Sequence, residues 1–286
     1  MAVVFAGSSL VHGYVARRYL SEEQARREDF RAVARELVER LGIPSVRVFG
    51  INWGCSGYSK AMEIAVRYAA RCPRLRREQF ILVVTANRTS KITDYGCSVT
   101  APIFGDFAQA TLLGSAEGLR YPSKFALLYA AAERQPANSV FFKYHLRENV
   151  LVPTPEGGHA VEPRRLVFSL DMMGLGDGAP RAMANAAAKA LQATGIRPEE
   201  VDFVVPHQAG TGLVRLTAMK LEQLGIRGEV INGLTRNVGN ISSSSVPYAL
   251  QQNWDRLHGM ILCPTAAVDK PGHAALTQGC IVLKAT

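Results

Sequence analysis

The stretch Val46-Arg47-Val48-Phe49-Gly50-Ile51 runs into Asn52-Trp53-Gly54-Cys55-Ser56-Gly57 and then, past Tyr58, into SKAMEIAVRYAARC, residues 59–72. Its first six residues are short, largely apolar and rich in β-branched side chains, which predicts a strand. In the last part Ala61, Ile64, Ala65 and Tyr68 fall at helical spacing, so a helix follows. Between them, glycines on either side of Cys55 mark a tight turn. The same alternation recurs along the chain. Residues 79–85 (QFILVVT) read as a buried strand, residues 180–194 (PRAMANAAAKALQAT) as a helix stopped by Gly195, and residues 201–205 (VDFVV) as a strand stopped by Pro206. Strands alternating with helices point to a layered α/β fold.

The two ends of the chain resemble each other. Ala2-Val3-Val4-Phe5-Ala6, followed by a polar turn with His12, parallels residues 201–205 followed by Pro206 and His207. A helix comes next in each half, then a strand: residues 46–51 in one, residues 229–234 in the other. Each strand opens through a Gly-containing turn into a helix, through WGCSG in the first half and through Asn237-Val238-Gly239-Asn240-Ile241-Ser242 in the second. This pattern suggests a duplicated unit, divided as residues 1–164 and 165–286. The halves are unequal. A strand over Arg165 to Asp171 and a long helix are expected ahead of VDFVV, whereas nothing comparable precedes AVVFA. The first half therefore reads as incomplete.

Composition narrows the classes of function. The chain has 286 residues, 48% hydrophobic and 20% charged, an ordinary globular profile. No apolar run reaches the roughly 18–20 residues that a membrane span needs, and the first residues carry no basic region ahead of a long apolar one. A cytoplasmic protein is the expectation. The net charge of +9 raises the question of an anionic partner. The cations are dispersed apart from short clusters such as Arg74-Leu75-Arg76-Arg77, and no nucleic-acid signature accompanies them. Cys55, Cys72, Cys97, Cys263 and Cys280 are odd in number and lack paired spacing, which argues against both a disulfide framework and a zinc site.

Cys55 stands out because it sits where a strand turns into a helix. There the helix dipole and unpaired N–H groups are expected to lower its pKa and favour thiolate. His207 follows directly on a buried strand, at the end where open α/β sheets place their ligand sites. Asn240 lies in the turn equivalent to that of Cys55. The three are far apart in sequence, so only folding can bring them together.

GCSGYSKAMEIA, VVPHQAG and VGNISSSSVPYAL resemble, in order and context, the three active-site motifs of the ketoacyl-acyl-carrier-protein synthase III family of the thiolase superfamily. Ile103-Phe104-Gly105-Asp106 with FAQATLL resembles the stretch between the Cys and His motifs. The resemblance implies a duplicated, thiolase-like five-layer α-β-α-β-α fold with its N-terminal half incomplete. It implies decarboxylative Claisen condensation of an acyl-CoA starter with malonyl-acyl carrier protein through a Cys55 acyl-enzyme, giving a 3-oxoacyl thioester in fatty-acid, polyketide or related chain assembly. His207 and Asn240 would hold the thioester oxygen as enolate charge develops. The backbone N–H groups of Cys55 and Ala274 would form the acyl oxyanion hole. No metal or cofactor is implied beyond the CoA and phosphopantetheine arms of the substrates, and a homodimer is expected.

The sequence also departs from the family pattern. His273-Ala274-Ala275 and Gln278 stand where a glycine run and a Trp are usual, and Gly210-Thr211-Gly212 replaces Asn-x-Arg. Phe104, Gly210, Arg215, Lys220 and Arg181 are candidates for contact with substrate or carrier. Two other readings stay open: an acyltransferase of this fold that does not condense, and a truncated, partner-dependent subunit. A degradative thiolase, which would need a second cysteine as base, is disfavoured by the buried setting expected for Cys280.

Overall fold

Ala2–Gly7 is buried along its whole length, as expected of a strand covered on both faces. In the computed structural model, which describes residues 2–7, 29–43, 45–72, 80–115, 123–137, 140–268 and 272–285, this strand, β1, lies at the heart of a four-stranded sheet. Its neighbours are β2 (Arg47–Ile51) and β3 (Ile81–Asn87), both parallel to it, and β4 (Phe107–Leu113) pairs antiparallel with β3. His12 and the Arg74–Arg77 cluster fall outside the described residues.

The second sheet has five strands in the order β5-β11-β10-β8-β9: β5 (Phe125–Pro136), β11 (Ala275–Ala285), β10 (Met260–Val268), β8 (Phe203–Val204) and β9 (Glu229–Val230). Apart from β5, order and sense repeat the first sheet: β11 is antiparallel to β10, and β10, β8 and β9 are parallel. The internal repeat is therefore present in the topology, with β1 answering to β8 and β2 to β9. The last two are shorter than the sequence suggests, although Asp202 N–H to Met260 O (2.9 Å) and Val205 N–H to Leu262 O (2.8 Å) extend the ladder around β8.

One expectation is corrected. Arg165 to Asp171 does not open the second sheet. Residues 165–170 are the end of β7 (His159–Leu170), which pairs with β6 (Phe142–Pro153) in a separate hairpin, while β5 takes the edge position beside β11. Leu166, Val167 and Phe168 owe their apolar character to burial elsewhere, Leu166 and Phe168 in a cluster with Ile92. A division of the chain at 164/165 would leave β5 on the wrong side of its own sheet.

Helices complete five layers, as the resemblance implied. Among the described helices, α1 (Phe30–Arg40) covers the outer face of the first sheet, where Phe30 meets Phe5 with ring centroids 6.5 Å apart. Between the sheets lie α2 (Gly57–Arg71) and α6 (Ser245–Gln252), whose Tyr58, Met62, Val246 and Leu250 join residues of both sheets in the main core. On the far face sit α3 (Met172–Thr194) and α4 (Thr211–Glu222), with Ala187, Leu191 and Leu221 against Val204 and Val282. A single turn, α5 (Thr235–Val238), leads toward α6. No described helix is long and apolar enough to cross a membrane.

The central position of α2 explains a buried carboxylate, since Glu63 is 4% exposed. It pairs with Lys60 (2.9 Å) and Arg67 (2.8 Å) and accepts Ala132 N–H (3.0 Å), which fastens α2 to β5. A buried charge is tolerable when its lone pairs are met in this way.

The two halves also meet at Phe104 and Asn240, which form an isolated parallel bridge. Asn240 N–H donates to Ile103 O at 2.7 Å and Gly105 N–H to Asn240 O at 3.2 Å. A Cβ on Gly105 would collide with the Val238 carbonyl. Gly105→Ala is expected to cost about 2 kcal/mol or more. Gly176→Ala, inside α3 with nothing near its added Cβ, should be neutral or stabilising by up to about 1 kcal/mol. Urea titration of both variants checks this.

Candidate active site

Cys55 lies in the 3-10 turn Gly54–Ser56 that joins β2 to α2. Gly54 has φ +49°, and a side chain there would press on Ala267 Cβ at 3.1 Å, so glycine lets β10 approach the Cys55 turn. Asn240 occupies the equivalent place in the second half. It follows Gly239 (φ +66°) and precedes the 3-10 turn Ser242–Ser244 that feeds α6. His207 comes just after β8, pinned by its backbone N–H to Pro264 O at 2.9 Å. All three line a single cavity that opens to solvent.

The serine run after Asn240 joins these parts, and the sequence assigned no role to its members. Ser242 Oγ donates to Cys55 Sγ at 3.4 Å, and Ser242 N–H donates to Asn240 Oδ1 at 2.9 Å. The second bond orients the Asn240 amide so that Nδ2 is the atom left to donate. Ser242 adopts φ +52°, an uncommon conformation for a residue with a side chain. Ser243 bonds Asn87, and Ser244 bonds both Thr85 (3.0 Å) and Asn87 (2.9 Å). Ser245 Oγ accepts Gln208 N–H (3.3 Å) and lies 2.6 Å from His207 Nδ1. When the Ser245 hydroxyl donates to Nδ1, the imidazole proton lies on Nε2 and Nε2–H is the free donor.

The charge state of the thiol differs from the sequence expectation. Cys55 keeps partial exposure, but the cavity it faces is apolar, and burial pushes the thiol up to about 11; hydrogen bonds from Ser242 and from its own backbone N–H oppose this without offsetting it. The helix end that was expected to favour thiolate sits inside the central layer, where desolvation disfavours the charged form. Burial also holds His207 down at about 4, so its imidazole is neutral at physiological pH.

Phe104 lines the cavity, as does Ala209 beside Gly210, the residue that caps α4. Ala274 does not. It stands at the exposed turn before β11, its carbonyl accepting Ala137 N–H at 2.8 Å. The part of the hairpin that reaches the site is instead Ala266, Ala267 and Val268 at the end of β10. Arg215 is exposed, two positions beyond the cavity-lining Leu213 on α4, and Lys220 lies further along that helix. Arg181 is also exposed and pairs with Asp177 one turn earlier on α3. None of these three cations lines the cavity. Trp53, next to the Cys55 turn, lies under Lys60 Nζ at 4.5 Å and Arg134 Cζ at 4.7 Å, a setting that holds the indole as a cavity wall. Among the described residues no group of three or more His, Cys, Asp or Glu could hold a metal ion.

A thiol that titrates near 11 gains about tenfold in reactivity per pH unit, since only thiolate reacts. Alkylation of Cys55 by iodoacetamide should therefore climb steadily from pH 7 to 10, and Ser242→Ala should move the curve to higher pH. Peptide mapping after timed labelling checks both; a plateau near pH 7 contradicts the raised pKa.

Comparison with known proteins fits this geometry. The family model described as 3-oxoacyl-[acyl-carrier-protein (ACP)] synthase III matches residues 49–126, and its C-terminal counterpart matches residues 191–259. Beta-ketoacyl-[acyl-carrier-protein] synthase III of Geobacillus kaustophilus is 29% identical over 221 residues, 77% of this chain; the match spans 61% of that relative's length. The protein of the same name from Staphylococcus epidermidis is 30% identical over 256 residues, 89% of this chain and 72% of the relative. The crystal structure of 3-oxoacyl-[acyl-carrier-protein] synthase III from Aquifex aeolicus shares the fold, with a TM-score of 0.65 at 22% identity, covering 99% of this chain and 77% of that one. Cys55, His207 and Asn240 thus stand on a family fold as well as in family motifs: the chain belongs to the 3-oxoacyl-[acyl-carrier-protein] synthase III family.

Proposed function

We propose that this chain joins an acyl group from acyl-CoA to the two-carbon unit of malonyl-acyl carrier protein, releasing carbon dioxide and forming a 3-oxoacyl thioester. The observation that supports this most is the placement of a neutral His207 and of Asn240 beside Cys55 in one apolar cavity. In the first step the Cys55 sulfur attacks the acyl-CoA carbonyl and the C–S bond to CoA breaks. Because the thiol rests protonated, its proton leaves as the sulfur attacks, and on balance it goes to the departing CoA sulfur. In the second step the malonyl carboxylate leaves as carbon dioxide. The electron pair of the broken C–C bond enters the thioester as an enolate, whose oxygen is held by His207 Nε2–H and Asn240 Nδ2–H. The enolate carbon then attacks the acyl carbonyl and expels Cys55 as a thiolate, which takes a proton from water to regain the resting thiol.

Donors aimed at a developing oxyanion in a water-poor site are each worth a few kcal/mol. Cys55 N–H is one donor for the acyl oxygen, and the end of β10, Ala266–Val268, is the stretch beside it that can offer another. Simple acyl transfer to an alcohol or amine forms no enolate, so it gives Asn240 no task; condensation does. The same reading includes acyl-CoA and an acidic carrier protein as partners, the latter suited to a chain of net charge +9. Its setting would be the cytoplasm, where the five free cysteines stay reduced, and its assembly a homodimer. The antiparallel edge strand β4, with Leu112 61% exposed, offers a surface that a second copy would cover.

Incubation with acyl-CoAs followed by intact-mass measurement should show one acyl adduct, absent in Cys55→Ala. Addition of malonyl-acyl carrier protein should then discharge the adduct to a 3-oxoacyl product. An adduct that persists in Cys55→Ala, or one that malonyl carrier cannot discharge, contradicts the proposal.

A further inference from the structure

Beyond the reacting groups, the cavity is walled by the β6–β7 hairpin and the first turns of α3. Phe168 is central to this wall, edge-on to Phe104 at 5.2 Å and tilted against Phe142 at 5.9 Å. Leu170, Met172 and Leu175 carry the apolar surface onward. The wall starts beside the chemistry, because Phe104 is the residue bridged to Asn240.

This wall is fixed in place. Arg165, on β7, donates to Lys91 O and Ser90 O at 2.9 Å each, and Arg147, on β6, pairs with the buried Asp94 at 2.5 Å. Phe168 N–H donates to Ile92 O at 3.2 Å and Tyr95 N–H to Leu151 O at 3.1 Å. Among the described residues, no Asp, Glu, Lys or Arg lines the cavity.

On the acyl-enzyme reading given above, we infer that the acyl group loaded on Cys55 is uncharged and apolar, with about six carbons or more, and that the β6–β7 hairpin selects it. An acetyl group offers one methyl to this wall and leaves the rest facing water. Each further methylene removes apolar surface from water and raises loading by about fourfold while the pocket has room. A terminal carboxylate, as in succinyl, would enter a site whose described lining offers no cation to receive it.

The test is the initial rate of Cys55 adduct formation, read by intact mass, with acetyl-, butyryl-, hexanoyl-, octanoyl- and succinyl-CoA on the whole chain. Hexanoyl is expected to load on the order of a hundredfold faster than acetyl, and succinyl not to load. Leu170→Trp, which narrows the pocket, should reduce the octanoyl-to-acetyl ratio by about tenfold or more. Acetyl loading as fast as octanoyl in the wild-type chain overturns the inference whatever the variant does. An unchanged ratio in both Leu170→Trp and Phe142→Ala overturns the role of the hairpin. No adduct from any thioester overturns the acyl-enzyme reading itself, and this inference with it.

Discussion

Ser242, Ser243, Ser244 and Ser245 are buried side by side, and their hydroxyls bond three different parts of the chain. Their partners are Cys55 on the turn between β2 and α2, Asn87 and Thr85 at the end of β3, and His207 after β8. A buried hydroxyl left without a partner costs about 1–3 kcal/mol. Four in one turn therefore represent a sum comparable with the whole stability of a typical domain. The turn can stay buried only when strands of both sheets are in place, so formation of the site is tied to correct packing of the two halves. The left-handed backbone of Ser242 is part of the same constraint. Such a conformation costs on the order of 1–3 kcal/mol and is offset here by the bond to Asn240 Oδ1, the contact that also aims the Asn240 amide.

The apolar cavity acts on its polar residues in opposite ways. It raises the Cys55 thiol to about 11 and lowers His207 to about 4, so both rest uncharged. That state would be a handicap for a free nucleophile. It suits the proposed task of receiving negative charge, because donors in a low-dielectric setting act more strongly than they do in water. In the proposed condensation, attack by the sulfur would be coupled to departure of its proton, while His207 and Asn240 would need no change of charge to hold an enolate.

Much of the scaffold was legible in the sequence. The VRVFGI strand, the glycine turn around Cys55 and the helical spacing of Ala61, Ile64, Ala65 and Tyr68 define one strand-to-helix unit, and its echo around Asn240 revealed the internal repeat. Local patterns could not say which strand pairs with which. RLVFSLD ahead of a helix looks like the opening of a sheet, yet its apolar residues are buried in a hairpin over the active site, and β5 fills the edge of the sheet. Sheet pairing is a long-range choice, and alternation along one strand does not encode it. The site shows a similar split. Cys55, His207 and Asn240 share a cavity as the motifs suggested. Ala274 was misplaced because the turn between β10 and β11 carries it past the site and leaves Ala266–Val268 there instead. The serines were quoted as motif letters without roles; the signal was four hydroxyls at the start of a helix whose other residues are largely apolar. The thiol charge was misjudged because a helix end says nothing about how deeply the fold buries it.

The central claim is that Asn240 serves the enolate and not the acyl transfer. The most direct measurement follows both steps in one sample of Asn240→Ala: acyl loading of Cys55 from acyl-CoA, and carbon dioxide release from malonyl-acyl carrier protein. Loading within about threefold of wild type, with decarboxylation reduced about a hundredfold or more, is the predicted result. Equal loss of both steps, or decarboxylation that survives unchanged, would contradict it.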